Sequence, residues 1–372
     1  MKISFSNSGL FAFFLRPIKS NSLKTLLIIL IVWLPIVVGA FLMKGEHTTL
    51  SIVNDFEFHI RFLILIPLVI LMEKKVDQPF NDFLIQTKGI ILKDEANRFQ
   101  KVINNIAYIT KYNVAELLYF ALFYSLLFLY WEDVVTSSNK EYFFDIGTKD
   151  LNSIGWYYLL VSLPFFQLLI FRWVFRWVIW VWMLYRVSTL KLNIDPVHAD
   201  GMGGLEYINL IPFLFSFLSF LISSIIATHM GSDIVFGAEK LKALSIQIIF
   251  FTIFFPLLNY LPLLFFVRKM FKAKTEGILM FGRLIREHNT DYFSKWIYKR
   301  DDKDTLLGSV DNSSLADING SYAMNQSLRL FPINSNFFLI TVVVSAFPYF
   351  PLLLTQYSII DLFKQLVVHF IS

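Results

Sequence analysis

The chain has 372 residues and a formal charge of +5, with 56% apolar, 17% aromatic and 16% charged residues and a mean hydropathy of +0.59. A soluble domain carries about 25% charge to cover its surface, so this composition excludes a soluble enzyme, a disordered chain and a nucleic-acid binder. The absence of cysteine excludes disulfides, thiolate metal sites and thiol catalysis.

A helix needs about 20 apolar residues to cross a bilayer. The sequence predicts seven such spans, near 25–43, 58–72, 115–131, 156–176, 207–228, 243–267 and 337–354. The expected fold is an all-α polytopic helical bundle, with 1–372 as a single membrane domain. The first span is too long for a signal-peptide core and no A-x-A site follows it, so it reads as an uncleaved anchor. The second is short, apolar only over 62–72, with Asp55, Glu57, His59 and Arg61 at its outer end. Residues 93–112 place Phe99, Ile103, Ile106 and Ile109 at helical spacing, which predicts a helix running straight into the third span. Around the fourth span, Trp173, Trp177, Trp180 and Trp182 read as an aromatic belt at the inner interface. Phe271, Ile278, Phe281 and Ile285 extend the sixth span, and a polar stretch over 300–326 follows. Segments 73–114 and 268–336 are thus expected to be cytoplasmic helical extensions and loop. The tail 359–371 reads as an amphipathic helix on the outer surface. Eight of the twelve prolines, including Pro35, Pro164 and Pro256, lie in apolar segments and predict kinks.

Charge asymmetry orients the chain. The segments assigned inside hold 24 Lys and Arg, whereas those outside hold 7, with 11 acids. Basic residues accumulate on the cytoplasmic side, which places the N-terminus inside and the C-terminus outside. Without the second span, the seven basic residues of 73–114 would lie on the wrong side.

Three groups of residues and one absence stand out. The first is the loop from Asp195 to Leu205, between the fourth and fifth spans. There Gly201, Gly203 and Gly204 permit positive φ, and successive backbone N–H groups ahead of a helix can hold an anion. His198 with Asp200 and Asp195 is a candidate metal or acid–base set. The simpler alternative has Asp200 capping the following helix. This P-x-H-x-D-x-x-G-G-L stretch resembles a loop in a family of uncharacterised bacterial multi-pass membrane proteins. Members usually carry Pro at the position of Ala199 and a basic residue at that of Met202. A second stretch is similar too: Ser314-Leu315-Ala316-Asp317, Ser321-Tyr322, then Arg329 and Pro332. The resemblance implies a bacterial inner-membrane location and interest in His198, Asp200, Asp317, Ser321 and Arg329, but no reaction.

Arg172 and Arg176, four apart on one helix face, form the second group. They read either as snorkelling interface residues or as an anion- or lipid-headgroup site. Asn259, between Pro256 and Pro262, is a gate or a packing contact. The last is an absence: no Asp or Glu falls inside a predicted span, with Glu116 and Glu206 at inner edges, which counts against a carboxylate-driven proton carrier. P-loop, zincin and G-x-S-x-G motifs are missing.

The leading expectation is a channel or passive carrier for a small solute or ion. Two alternatives remain: an assembly or sensing subunit binding a cytoplasmic partner, and a membrane enzyme acting on a phosphorylated or lipid substrate. No cofactor is implied. The expected surroundings are the lipid bilayer and a homo-oligomer or cytoplasmic protein partner, with no nucleic acid.

Overall fold

The computed structural model describes residues 3–5, 9, 18, 20–42, 51–111, 114–133, 141–145, 150–237, 239–298 and 310–355. The tail 359–371 lies outside the described residues. The described residues are all-helical in class, at 84% helix, and among them only the isolated bridges Ile91–Leu192 and Phe144–Leu151 are extended pairs. We number the helices α1 (Asn21–Leu42), α2 (residues 56–73), α3 (Asp77–Ile90), α4 (Ala96–Lys111), α5 (Val114–Leu129), α6 (Ser153–Ser188), α7 (Glu206–Val235), α8 (Leu241–Tyr298), α9 (Val310–Ser327) and α10 (Ser335–Leu353).

Five of these, α1, α6, α7, α8 and α10, are long and apolar enough to cross a bilayer, and α5 with the bent helix before it would make a sixth. This is the architecture of a multi-pass integral membrane protein. The helix over 93–110 does not run straight into α5 but meets it at 49°. Its stripe explains the bend: Phe99, Val102, Ile103 and Ile106 are buried in the main core while Ile109 is 40% exposed. Laying that stripe on the bundle turns the axis away from that of α5.

Helix α2 carries three charges, Glu57, Arg61 and Glu73, and so falls short as a free-standing apolar span. Its environment compensates. Phe58, Phe62, Leu65, Ile66, Val69 and Ile70 are all at most 3% exposed, and Phe62, Ile66 and Val69 are fully enclosed. One face is thus buried in the bundle, while Leu63, Ile64 and Leu71 on the other face are exposed. α1, α5 and α8 likewise present exposed leucines, isoleucines and phenylalanines such as Leu26, Leu118 and Phe250, as lipid-facing helices do.

The side-chain pairs give the running directions. Along α2 and α6, Arg61 meets Tyr158, Phe62 meets Phe166 and Glu73 meets Arg176, so the two are parallel. α1 and α5 are antiparallel to α6, through Ile31–Tyr157 with Gly39–Ile154, and Glu116–Arg172 with Trp131–Trp156. Tyr185–Phe265 and Leu190–Lys269 set α8 parallel to α6. Phe213–Phe337 and Ser223–Ser345 set α7 parallel to α10. Tyr260 against Thr341, and Leu241 and Leu244 clustered with Tyr349 and Leu352, set α8 antiparallel to α10.

Ahead of Pro67 and Pro164 the helices widen rather than break. A π-helical turn, Ile60–Leu65, precedes Pro67, and another, Tyr158–Ser162, precedes Pro164. A proline ring displaces the carbonyl four residues earlier, and in hydrocarbon that carbonyl needs another donor. Tyrosines supply it: Tyr157 donates to Ile31 O (2.8 Å), freed by Pro35, and Tyr124 donates to Leu160 O (2.9 Å), freed by Pro164.

Helix α8 is continuous for 58 residues, about 87 Å at 1.5 Å per residue, against about 30 Å of hydrocarbon. Its distal half packs antiparallel on α9, where Gly277 sits so close that an added Cβ would lie 2.5 Å from Asn325 Oδ1. The polar stretch expected over 300–326 is therefore helical from Val310; residues 299–309 lie outside the described set. Ile278, Phe281 and Ile285 are partly buried, whereas Phe271 is 59% exposed.

Candidate functional site

The α2–α6 pair carries polar clusters at both ends and an apolar seam between them. At the Phe56 end, Arg61 donates to Glu57 Oε1 (2.7 Å) and to Tyr158 Oη (2.8 Å), and its guanidinium lies 5.5 Å from the Phe166 ring centre. Tyr142 Oη donates to Asp55 Oδ2 (2.6 Å), and Asp55 Oδ1 caps Phe58 N. Trp33 Nε1 donates to His59 Nδ1 at 3.1 Å. The charged Phe56 end of α2 is thus engaged with neighbouring side chains.

At the opposite end, Glu73 accepts from Arg172 Nε and Nη2 (both 3.3 Å) and from Arg176 Nη2 (2.5 Å). Arg172 Nη1 pairs with Glu116, and its Nη2 also reaches Phe5 O at 3.4 Å. Exposures are 6% for Glu73, 6% for Glu116, 5% for Arg172 and 2% for Arg176. Three helices, α2, α5 and α6, therefore converge on one buried network. Ionised groups are expensive to bury and persist where they are paired and hydrogen-bonded. Between the two clusters lie Phe62, Leu65, Val69, Phe166 and Leu169, each at most 3% exposed.

The structure thus places Arg172 and Arg176 deep inside the protein, not snorkelling to water, and the chain's own Glu73 and Glu116 take up their guanidinium groups. Sequence reading missed Glu73, which it counted as the first residue of a loop, and treated Glu116 as an edge residue. The available signal was the pairing of charges at both ends of a short helix with a two-arginine helix elsewhere. Trp173 and Trp180 are 0% exposed and belong to the core; the expected interfacial belt does not form from them. Arg176 lies 5.4 Å from the Trp173 ring, which explains part of that burial.

The Asp195–Leu205 loop is organised by Asp200. Its Oδ1 accepts from Met202 N (2.8 Å) and Gly204 N (3.1 Å), and its Oδ2 from Glu206 N (3.1 Å). His198 Nδ1 stands 2.9 Å from Oδ1. Partial burial pushes the Asp200 carboxyl up, but these backbone donors and His198 outweigh it and hold it below its usual range. The N–H groups that could cradle an external anion thus converge on this internal one. Gly201, Gly203 and Gly204 have φ of 62°, 67° and 83°, which L side chains rarely adopt. Asp195 Oδ1 accepts from Val197 N at 3.1 Å, and among the described residues no group of three metal-ligating side chains forms.

The two sequence motifs meet here. Arg329 N donates to Gly201 O (2.9 Å), Asn209 Nδ2 donates to Pro332 O (3.0 Å), and Asn334 Nδ2 donates to Glu206 Oε1 (2.9 Å). The Arg329 side chain is exposed, and Ser321 Oγ donates to Asp317 O (3.0 Å) within α9. Asn259 is 3% exposed and donates to Phe215 O and Ser219 Oγ, both at 2.9 Å, which is a helix-packing geometry. No family model, curated protein or solved structure matches the chain.

Proposed function

We propose that the protein is a seven-span channel or passive carrier, with its N-terminus inside and its C-terminus outside, and that the α2–α6 seam is its closed pathway. The observation that carries this reading is one helix pair bearing a polar cluster at each end and an apolar plug between. Arg61–Tyr158 closes the outer end and Glu73–Arg172–Arg176–Glu116 the inner end. Buried ion pairs are weak contributors to stability, and ionisable groups within a membrane bundle mark pathways by default. Both π-helical turns border the outer cluster, and such turns are frequent at functional sites.

The running directions support seven crossings. In chain order α1, α2, α5, α6, α7, α8 and α10 alternate in direction, and α2 counts as a crossing because it runs beside α6 over its full length. The basic loops then fall on one side, the cytoplasm in a bacterial inner membrane. A second reading, an assembly or sensing subunit, is favoured by the long projection of α8 with α9 packed against it.

The cysteine-free chain offers a direct test. Val69→Cys and Leu169→Cys, both at fully enclosed positions, are treated in intact membranes with a membrane-impermeant thiol reagent. A pathway that opens predicts slow modification at both positions and a parallel change in solute flux through proteoliposomes. No modification in the native protein, with prompt reaction after unfolding, overturns the pathway reading.

A further inference from the structure

Residues 3–5 form a short non-helical segment seated on α3. Asn81 holds its main chain with a paired contact: Ile3 N donates to Asn81 Oδ1 (2.9 Å), and Asn81 Nδ2 donates to Ile3 O (2.8 Å). That amide is itself aimed by a bond from Nδ2 to Asp77 O (2.6 Å). One turn earlier on α3, the Asp77 carboxylate accepts from Phe5 N (2.7 Å) and from the Ser4 hydroxyl (2.8 Å). Ile3 and Phe5 are 2% and 3% exposed, while Ser4 between them is only partly buried, which is the alternation of an extended chain. Phe5 meets the Phe80 ring edge-on, 4.7 Å between centres. Main-chain bonds combined with pockets for alternate side chains are how proteins hold an extended peptide, and here the peptide belongs to the same chain.

The segment also reaches the inner cluster. Phe5 O accepts from Arg172 Nη2 at 3.4 Å. Gly9, at φ 96°, lies so close to the cluster that an added Cβ would collide with Glu116 Oε1 and Arg172 Nη1. The segment therefore bridges α3 and α6 across the end of α2. Only residues 74–76 join α2 to α3, a link that spans at most about 10 Å, so α3 moves with α2. Parting α2 from α6 then requires the segment to leave either its seat on α3 or Arg172. Its bonds to Asn81 and Asp77 are part-buried, and contacts of that kind open at lower free energy than core helices.

We propose that residues 3–5 are a releasable latch that holds the inner end of the α2–α6 seam shut. This deepens the pathway reading and rests on it. Seated, the segment ties α3 to α6; released, it frees α2 and α3 to move away together.

The test uses the full chain in proteoliposomes, with solute flux and the modification of Leu169→Cys measured in parallel. Asn81→Leu removes both bonds to Ile3 and leaves Glu73, Glu116, Arg172 and Arg176 in place. Losing two hydrogen bonds should favour the released form roughly tenfold, read as a rise of that order in flux and in modification rate. Deleting residues 2–5 should raise both at least as far. The converse variant, Ser4→Cys with Asp77→Cys, places thiols where hydroxyl and carboxylate now touch. Joined by a short bis-methanethiosulfonate cross-linker, it should fall below wild-type flux, and dithiothreitol should restore it. Wild-type flux and modification in both Asn81→Leu and the deletion, or flux that persists in the linked form, overturn the latch and keep the pathway. Silence in every form, with Leu169→Cys unreactive until the protein is unfolded, removes the pathway and the latch with it. Should the deletion not fold, Asn81→Leu and the cross-link decide.

Discussion

Replacing Glu73 by Gln keeps the side-chain volume and removes the charge that joins α2 to α6. The carboxylate accepts three hydrogen bonds from two arginines. Its loss leaves Arg172 and Arg176, 5% and 2% exposed, without the carboxylate that they share. Breaking a buried pair from one side costs about 3–5 kcal/mol, because the remaining charge stays desolvated. For 372 residues at about 2.1 cal/mol/K each, the unfolding entropy is about 0.8 kcal/mol/K. The expected fall in Tm is therefore about 4–6 °C, read by intrinsic tryptophan fluorescence in nanodiscs. The double variant Glu73→Gln/Arg176→Met should recover part of the loss, since it removes the stranded charge, with a coupling energy of about 2 kcal/mol. A single variant within about 1 °C of wild type, or strictly additive losses, refutes the idea of one interdependent network.

Three further outcomes are expected. Asp200 has a folded pKa below its unfolded value of about 3.9, so its stabilisation is present above about pH 4 and lost as pH falls through the folded value; the protection factors of the Met202, Gly204 and Glu206 amides should fall as the carboxyl is protonated, and protection unchanged across that titration contradicts this. Gly277→Val should push α9 off α8, because its Cβ would meet the Asn325 amide at 2.5 Å, costing about 1–3 kcal/mol; faster proteolysis within α9 is the readout, and a wild-type digestion pattern rejects the close packing. Asn259→Leu removes two hydrogen bonds within the bundle, each worth about 0.6 kcal/mol in a membrane protein, so expression should fall slightly with flux per molecule unchanged; altered flux at full expression restores its role as a gate.

Much of this architecture is local in origin, and the sequence by itself determined it. Apolar runs of span length mark α1, α6, α7, α8 and α10, since the bilayer demands about 20 such residues in a row. The continuation of α8 past the membrane follows from helical spacing over Ile278, Phe281 and Ile285. The capping by Asp200 follows from an acidic residue among glycines ahead of a helix. Other features depend on partners distant in the chain. Whether Arg172 snorkels or pairs depends on Glu73 and Glu116, 99 and 56 residues away, and no spacing rule reaches that far. The burial of one face and of both charged ends of α2, which lets a short charged helix persist among apolar ones, was decided only when its neighbours packed against it. The same holds for Trp173 and Trp180, whose amphipathic rings suit an interface or a core equally well. Helix formation is encoded within a few residues, whereas the pairing of buried charges is set by which helix faces meet in the folded bundle.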